Sequence, residues 1–156
     1  MNRTTAAYTG WVNSVDLPCY PVPLVGSPVV LPLAGCGVQA GFPSPADDFL
    51  VQRIDLTREL ITHPQATFLL RVSGESMRDA GIFDGDMLVV NKAVKPRHGH
   101  VVVAVVDGEF TVKFLYQRAG RIKLRPANPT FPDITPREGQ TLEVWGVVTA
   151  SIKRFT

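Results

Sequence analysis

Two side chains in this sequence have the chemistry of a nucleophile and its base. They are Ser76, in Val72-Ser-Gly-Glu-Ser-Met77, and Lys113, in Glu109-Phe-Thr-Val-Lys-Phe-Leu115. A serine hydroxyl is a poor nucleophile until a neighbouring base takes its proton. A lysine can take it only as the neutral amine, and an ordinary pKa of about 10.4 leaves roughly one in a few thousand neutral near pH 7. Lowering that pKa by about three units requires a site dry enough to disfavour the charge, at a cost of about 4 kcal/mol. The two residues are too far apart in sequence to meet on one element, so only a compact sheet can bring them together.

That sheet is expected from Thr67 onward. Thr67–Val72 reads as a strand, Ser76–Ala80 as a helical turn and Met87–Asn91 as a second strand. Val101–Val106 is apolar throughout, as in a strand covered on both faces. Phe110–Gln117, Arg121–Arg125 and Leu142–Ile152 complete a mainly β, mostly antiparallel, barrel-like domain. Before it, Asp55 is placed to cap a short helix over Leu56–Thr62, which His63-Pro64 stops. Residues 1–39 carry five prolines between positions 18 and 32 and show no helical or two-residue period, which predicts a flexible, extended arm. Gly41-Phe-Pro-Ser-Pro-Ala46 continues it as a loop.

Asp107-Gly108 is a two-residue hairpin turn. With these two residues at the turn, Val106 faces Glu109 and Val102 faces Lys113. Phe110, Val112, Phe114 and Tyr116 then share one side of the second strand, and Thr111, Lys113 and Leu115 the other. Lys113 therefore emerges among Thr111, Leu115, Val102 and Ala104, with no carboxylate in the immediate ladder, and such neighbours lower a lysine pKa. Composition alone favours the commoner fate of a strand lysine, an amine that snorkels to water.

The chain of 156 residues, 45% of them hydrophobic, suffices for one domain with a core. Its net charge of +2 is uneven: residues 1–70 carry three basic and five acidic side chains, residues 71–156 thirteen and nine. Arg118, Arg121, Lys123 and Arg125 crowd one hairpin, and Lys92, Lys95 and Arg97 one loop. They read as solvated turns rather than a DNA contact, with an acidic protein partner still open. Cys19 and Cys36 have no histidine at ligand spacing, so no metal or other cofactor is expected, and they read as reduced thiols of a cytoplasmic protein. No stretch approaches the ~18 uncharged apolar residues of a membrane helix. Leu33-Ala-Gly-Cys36 matches the short lipoprotein-processing pattern, but Asp16 and prolines 18, 21, 23, 28 and 32 interrupt the apolar segment that pattern requires. Asp84-Gly85-Asp86 reads as a turn rather than a metal site, Met77 and Met87 as core or pocket lining, and Trp145 as core or dimer packing.

Val72-Ser-Gly-Glu-Ser-Met77, Gly81-Ile-Phe-Asp-Gly-Asp86 and Gly108-Glu-Phe-Thr-Val-Lys113, in that order, resemble the LexA/UmuD family of self-cleaving serine peptidases. Gly41-Phe-Pro-Ser-Pro-Ala46 and Gln52-Arg-Ile-Asp-Leu56 are as in the UmuD branch. The resemblance implies a dyad of Ser76 as nucleophile and Lys113 as general base, with backbone N–H groups at or beside Ser76 stabilising the oxyanion. It implies a cut in the chain itself between Ala40 and Gly41, with Cys36-Gly37 as a rival bond. Residues 1–40 would be the arm removed, and 41–156 the peptidase-fold domain. It further implies a homodimer, stimulation by the RecA nucleoprotein filament, and a trimmed form that joins a UmuC-like Y-family DNA polymerase in error-prone synthesis across damage in the SOS response. The long proline-rich front matches nothing in the family motifs.

Three other readings compete. A repressor of the LexA or phage type needs an N-terminal helix-turn-helix domain, which forty proline-rich residues cannot supply. A signal-peptidase-like enzyme acting on other proteins needs a membrane anchor. A non-catalytic interaction module of the same fold would leave Ser76 and Lys113 incidental.

Overall fold

The structure, a computed structural model, describes residues 28–35, 40–41 and 51–156. Both cysteines, the Cys36-Gly37 bond and positions 42–46 lie outside the described residues.

Six strands form the sheet that carries the site. In chain order they are β3 (Thr67–Arg71), β4 (Met87–Asn91), β5 (Val101–Val106), β6 (Glu109–Arg118), β7 (Arg121–Arg125) and β8 (Leu142–Ile152). Across the sheet the order is β3-β4-β8-β5-β6-β7, and every neighbouring pair is antiparallel. The 11-residue β8 runs through the middle and skips a partner twice, at Thr149 opposite β4 and at Trp145 opposite β5. Such bulges bend a strand and raise its local twist, which lets one long strand serve two neighbours that point the same way.

The β5–β6 hairpin has the expected register, with Val106 opposite Glu109 and Val102 opposite Lys113. Its turn needs left-handed backbone at two successive residues. Asp107 (φ 49°) and Gly108 (φ 87°) supply it, the asparagine-like tolerance of aspartate followed by a residue without Cβ. The Asp107 carboxylate also accepts from the Thr141 N–H and the Gln140 amide, tying the turn to the start of β8.

Apolar side chains pack on both faces. One cluster holds Val72, Met77, Ile82, Leu88, Val90 and Val103; the other holds Val102, Ala104, Leu115, Leu124 and Val147. The alternation along β5 places Val103 in the first and Val102 and Ala104 in the second, so the continuous apolar run does mark a strand covered on both sides. Burial of a branched side chain such as Val102 stabilises by about 2 kcal/mol. Met77 lies in the core, and Trp145 stacks with Phe68 and Phe110 at centroid distances of 5.1 and 5.6 Å.

The short helix α1 (Leu56–Leu60) is capped as expected, the Asp55 carboxylate accepting from the N–H groups of Thr57 and Arg58. It stops two residues before the expected Thr62. Among the described residues no helix is long and apolar enough to cross a membrane.

The reading that put the first strand at Thr67 needs correcting. Strands β1 (Val30–Ala34) and β2 (Val51–Asp55) pair antiparallel as a separate two-stranded sheet, so part of the proline-rich front is regular structure. The Leu56 N–H donates to the Val29 carbonyl, which makes alternate residues 29, 31 and 33 the bonding positions and turns Pro32 outward. A proline there forfeits no ladder bond. All five residues of β1 are exposed, so no buried face imposed the alternation that sequence reading depends on.

Candidate active site

Ser76 and Lys113 reach one place from opposite directions. Beyond β3 the chain continues its pairing: the Val72 N–H donates to the Asp86 carbonyl (2.8 Å) and the Gly85 N–H to the Val72 carbonyl (3.0 Å). The next turn needs Gly74 at φ 94°, and the Gly74 N–H is held by the Asp84 carboxylate at 2.7 Å. Ser76 follows, pinned on its far side by the fully buried Met77. The 127–128 segment braces this loop from the opposite end of the fold. The Ala127 N–H donates to the Ser76 carbonyl (2.9 Å), and the Asn128 amide to the Glu75 carbonyl (3.0 Å).

The strand β6 brings in the amine. Lys113 is only 7% exposed, so the snorkelling reading fails and the reading from its ladder neighbours stands. Its Nζ lies 2.8 Å from Ser76 Oγ, 2.8 Å from Thr111 Oγ1 and 3.0 Å from the Val112 carbonyl oxygen. All three partners are neutral. Burial pushes the amine below its ordinary value of 10.5, and among the described residues no carboxylate opposes the shift.

Three oxygens around Nζ suit the amine in either protonation state. In the neutral form two N–H groups can donate to Thr111 Oγ1 and the Val112 carbonyl, leaving one lone pair to accept the Ser76 hydroxyl proton. A protonated amine would donate to all three oxygens, so the same arrangement holds the amine before and after it takes a proton. Chemically the pair can activate an alcohol for attack on a carbonyl.

Two clefts, of about 220 and 270 Å³, meet at Ser73, Ser76 and Lys113. The first is walled by apolar residues such as Leu70, Leu88 and Val103, the second by Phe131, Pro132 and Ile134. A groove running past a hydroxyl on both sides suits an extended peptide crossing it. Ala40 and Gly41 are exposed, and neither lines these clefts. The structure thus brings Ser76 and Lys113 together and leaves the expected scissile pair outside.

Sequence reasoning placed Thr111 beside Lys113 but missed it as a hydrogen-bond partner, although the two-residue spacing on one strand face was the available signal. It missed Asp86 as well. That residue is a buried carboxylate that accepts from the Phe83 N–H and from Lys153 Nζ at 2.8 Å. Its turn reading was right, since the Asp86 N–H closes on the Phe83 carbonyl. Among the described residues no group of histidine, cysteine or carboxylate side chains could hold a metal ion.

Comparison with known proteins agrees with this geometry. The model of the Peptidase S24-like family matches residues 32–149. Protein SamA of Salmonella typhimurium is 49% identical over 115 residues, 74% of this chain and 79% of that protein. Protein ImpA of Escherichia coli is 49% identical over 127 residues, 80% of this chain and 85% of its own length. The LexA repressor of Paracidovorax citrulli is 41% identical over 133 residues, which are 85% of this chain but 58% of the repressor. With the family match spanning most of the sequence, the chain belongs to the S24-like peptidases, the LexA/UmuD-like self-cleaving serine peptidases.

Proposed function

We propose that this chain is a UmuD-like protein of the SOS response that cuts its own Ala40–Gly41 bond, with Ser76 as nucleophile and Lys113 as general base. The observation that carries the reading is the buried amine 2.8 Å from the hydroxyl, with no carboxylate among its partners.

In this mechanism the neutral Lys113 amine takes the Ser76 proton as Oγ attacks the Ala40 carbonyl carbon. The carbonyl becomes a tetrahedral oxyanion, stabilised by backbone N–H groups at the serine. Collapse breaks the bond to the Gly41 nitrogen, which receives the proton from Lys113 and leaves as the new N-terminus. A water, deprotonated by the same amine, then attacks the Ala40 ester and releases residues 1–40. Tethering supplies a high effective concentration, so a dyad of modest intrinsic reactivity can cut the bond in its own chain. The exposed position of Ala40 and Gly41 supports regulation by delivery of the bond to the groove, the step a RecA nucleoprotein filament would favour.

The trimmed form, residues 41–156, would act in the cytoplasm as a homodimer with a UmuC-like Y-family DNA polymerase in error-prone synthesis. Purified full-length protein should yield a fragment beginning at Gly41 at alkaline pH or with activated RecA filaments, and Ser76→Ala should yield none. A Ser76→Ala protein that cleaves like wild type would remove the dyad. Sequence-specific operator binding by the intact chain would favour a repressor instead.

A further inference from the structure

We infer that Asn128 is a positioning residue for the oxyanion site, acting through the Glu75–Ser76 peptide. The inference rests on the Ser76/Lys113 reading and assigns a role to a residue 52 positions beyond the serine.

In a trans peptide the C=O and N–H point in opposite directions. The carbonyl of the Glu75–Ser76 peptide is fixed by two donors, the Asn128 Nδ2 at 3.0 Å and the Arg78 N–H at 3.3 Å. The Ser76 N–H is therefore turned away from Asn128. The next peptide is held the same way, its carbonyl taking the Ala127 N–H. Among the described residues neither the Ser76 nor the Met77 N–H meets an acceptor, whereas those of Arg78, Asp79 and Ala80 all do. A free donor on the serine itself is what a developing oxyanion requires.

Asn128 is built to do this. It is 5% exposed. Its Oδ1 accepts from the Thr130 N–H (3.1 Å) and the Thr130 hydroxyl (2.6 Å), which leaves only the Nδ2 face for the Glu75 carbonyl. Pro126 and Pro129 bracket the Ala127-Asn128 pair and restrict the backbone on which the amide is mounted. A side chain whose two ends are both committed, in a segment with little backbone freedom, fixes a peptide plane rather than filling space.

Asn128→Asp is the discriminating variant. It keeps the acceptor for Thr130 and puts an oxygen where Glu75 needs a donor. In the full-length chain it should lower the alkaline plateau rate of Gly41-fragment formation at least tenfold. In Asn128→Ala, which adds no charge near Lys113, the pH at which the rate rises should stay at the wild-type value. Asn128→Asp should also weaken binding of a peptide boronic acid ending in alanine, whose adduct carries the tetrahedral oxygen, while binding the matching peptide carboxamide as wild type does. Asn128→Ala should behave similarly. Thr130→Val, at an exposed site, should show a smaller loss in the same direction, and it covers the case in which Asn128→Asp fails to fold.

Wild-type plateau rates in folded Asn128 variants would overturn the inference. So would equal loss of boronate and carboxamide binding, which marks a general disturbance of the groove. Cleavage by Ser76→Ala, run alongside, would instead bring down the dyad reading on which the inference rests.

Discussion

Lys113, in β6, and Lys153, just beyond the end of β8, meet opposite company. Lys113 is buried among a hydroxyl, a second hydroxyl and a carbonyl oxygen. Lys153 reaches both oxygens of the Asp86 carboxylate, at 2.8 and 3.0 Å, and lies 3.9 Å above the Phe83 ring. For Asp86, burial pushes the pKa up, but the Lys153 ammonium, the Phe83 N–H and the Ser151 hydroxyl together bring it below its ordinary 3.8. One lysine joins an ion pair that ties the chain's end to the turn behind the Ser76 loop. The other has no negative partner among the described residues, and that leaves it able to act as a base. Lysine chemistry here is set by the neighbour opposite, not by the side chain.

The sharpest break in this contrast is removal of either reacting group. Ser76→Ala or Lys113→Ala should reduce self-cleavage by about 10⁴-fold or more, as when members of a catalytic unit are deleted. N-terminal sequencing of the product at alkaline pH checks it.

The next experiment converts one lysine's surroundings into the other's. Thr111→Asp puts a carboxylate where Lys113 now has a hydroxyl. An opposite charge at that distance raises a lysine pKa by about 1–3 units. Cleavage at a fixed pH below the new pKa should fall by about 10- to 1000-fold and recover on further alkalinisation. A pH–rate profile that keeps its wild-type midpoint would mean that charge is not what the pocket controls.

Asp86→Asn removes the carboxylate from the structural pair. It should destabilise by about 1–2 kcal/mol, Lys153 being partly exposed and so losing less than a buried partner would. The sign with pH follows from the lowered Asp86 pKa. The carboxylate's contribution is fully present above the ordinary 3.8 and is lost as pH falls through the lower folded value. Melting temperatures of wild type and variant should therefore converge at strongly acid pH.

Smallest is the effect of replacing the base by an isosteric apolar chain. Lys113 has a lowered pKa in the folded protein, so below 10.5 the unfolded chain binds the proton more readily. The penalty is full below the folded pKa and fades as pH rises to 10.5. Lys113→Met should stabilise the inactive protein by ~1 kcal/mol near neutrality. In thermal melts that advantage should shrink toward pH 10.5.

The parts legible in sequence are those fixed by local rules. Asp107-Gly108 dictated a turn, the turn dictated the register, and the register put Lys113 opposite Val102 from residue types alone. The two regions that escaped did so for different reasons. Strands β1 and β2 pair as a ribbon whose β1 side chains are all exposed, so no buried face writes a period into it, and Pro32 disguises a strand whose outer side tolerates it. Asn128 and Lys153 act across 53 and 67 positions on Glu75 and Asp86. Long-range polar pairing leaves no spacing to read, because the fold alone decides which donor meets which acceptor. The Ser76–Lys113 pair was found despite comparable remoteness because both of its segments carry a family resemblance, whereas Asn128 and Lys153 lie outside the matching motifs.

The dyad depends on an amine at Lys113 that gives up its charge readily, and its titration can be followed directly. In full-length Ser76→Ala protein, which should not consume itself, the Lys113 side-chain Cε and Nζ resonances report protonation by NMR. A midpoint well below 10.5 is expected, with the neutral signature dominant at the alkaline pH where wild type cleaves. A midpoint at or above 10.5 would contradict the dyad.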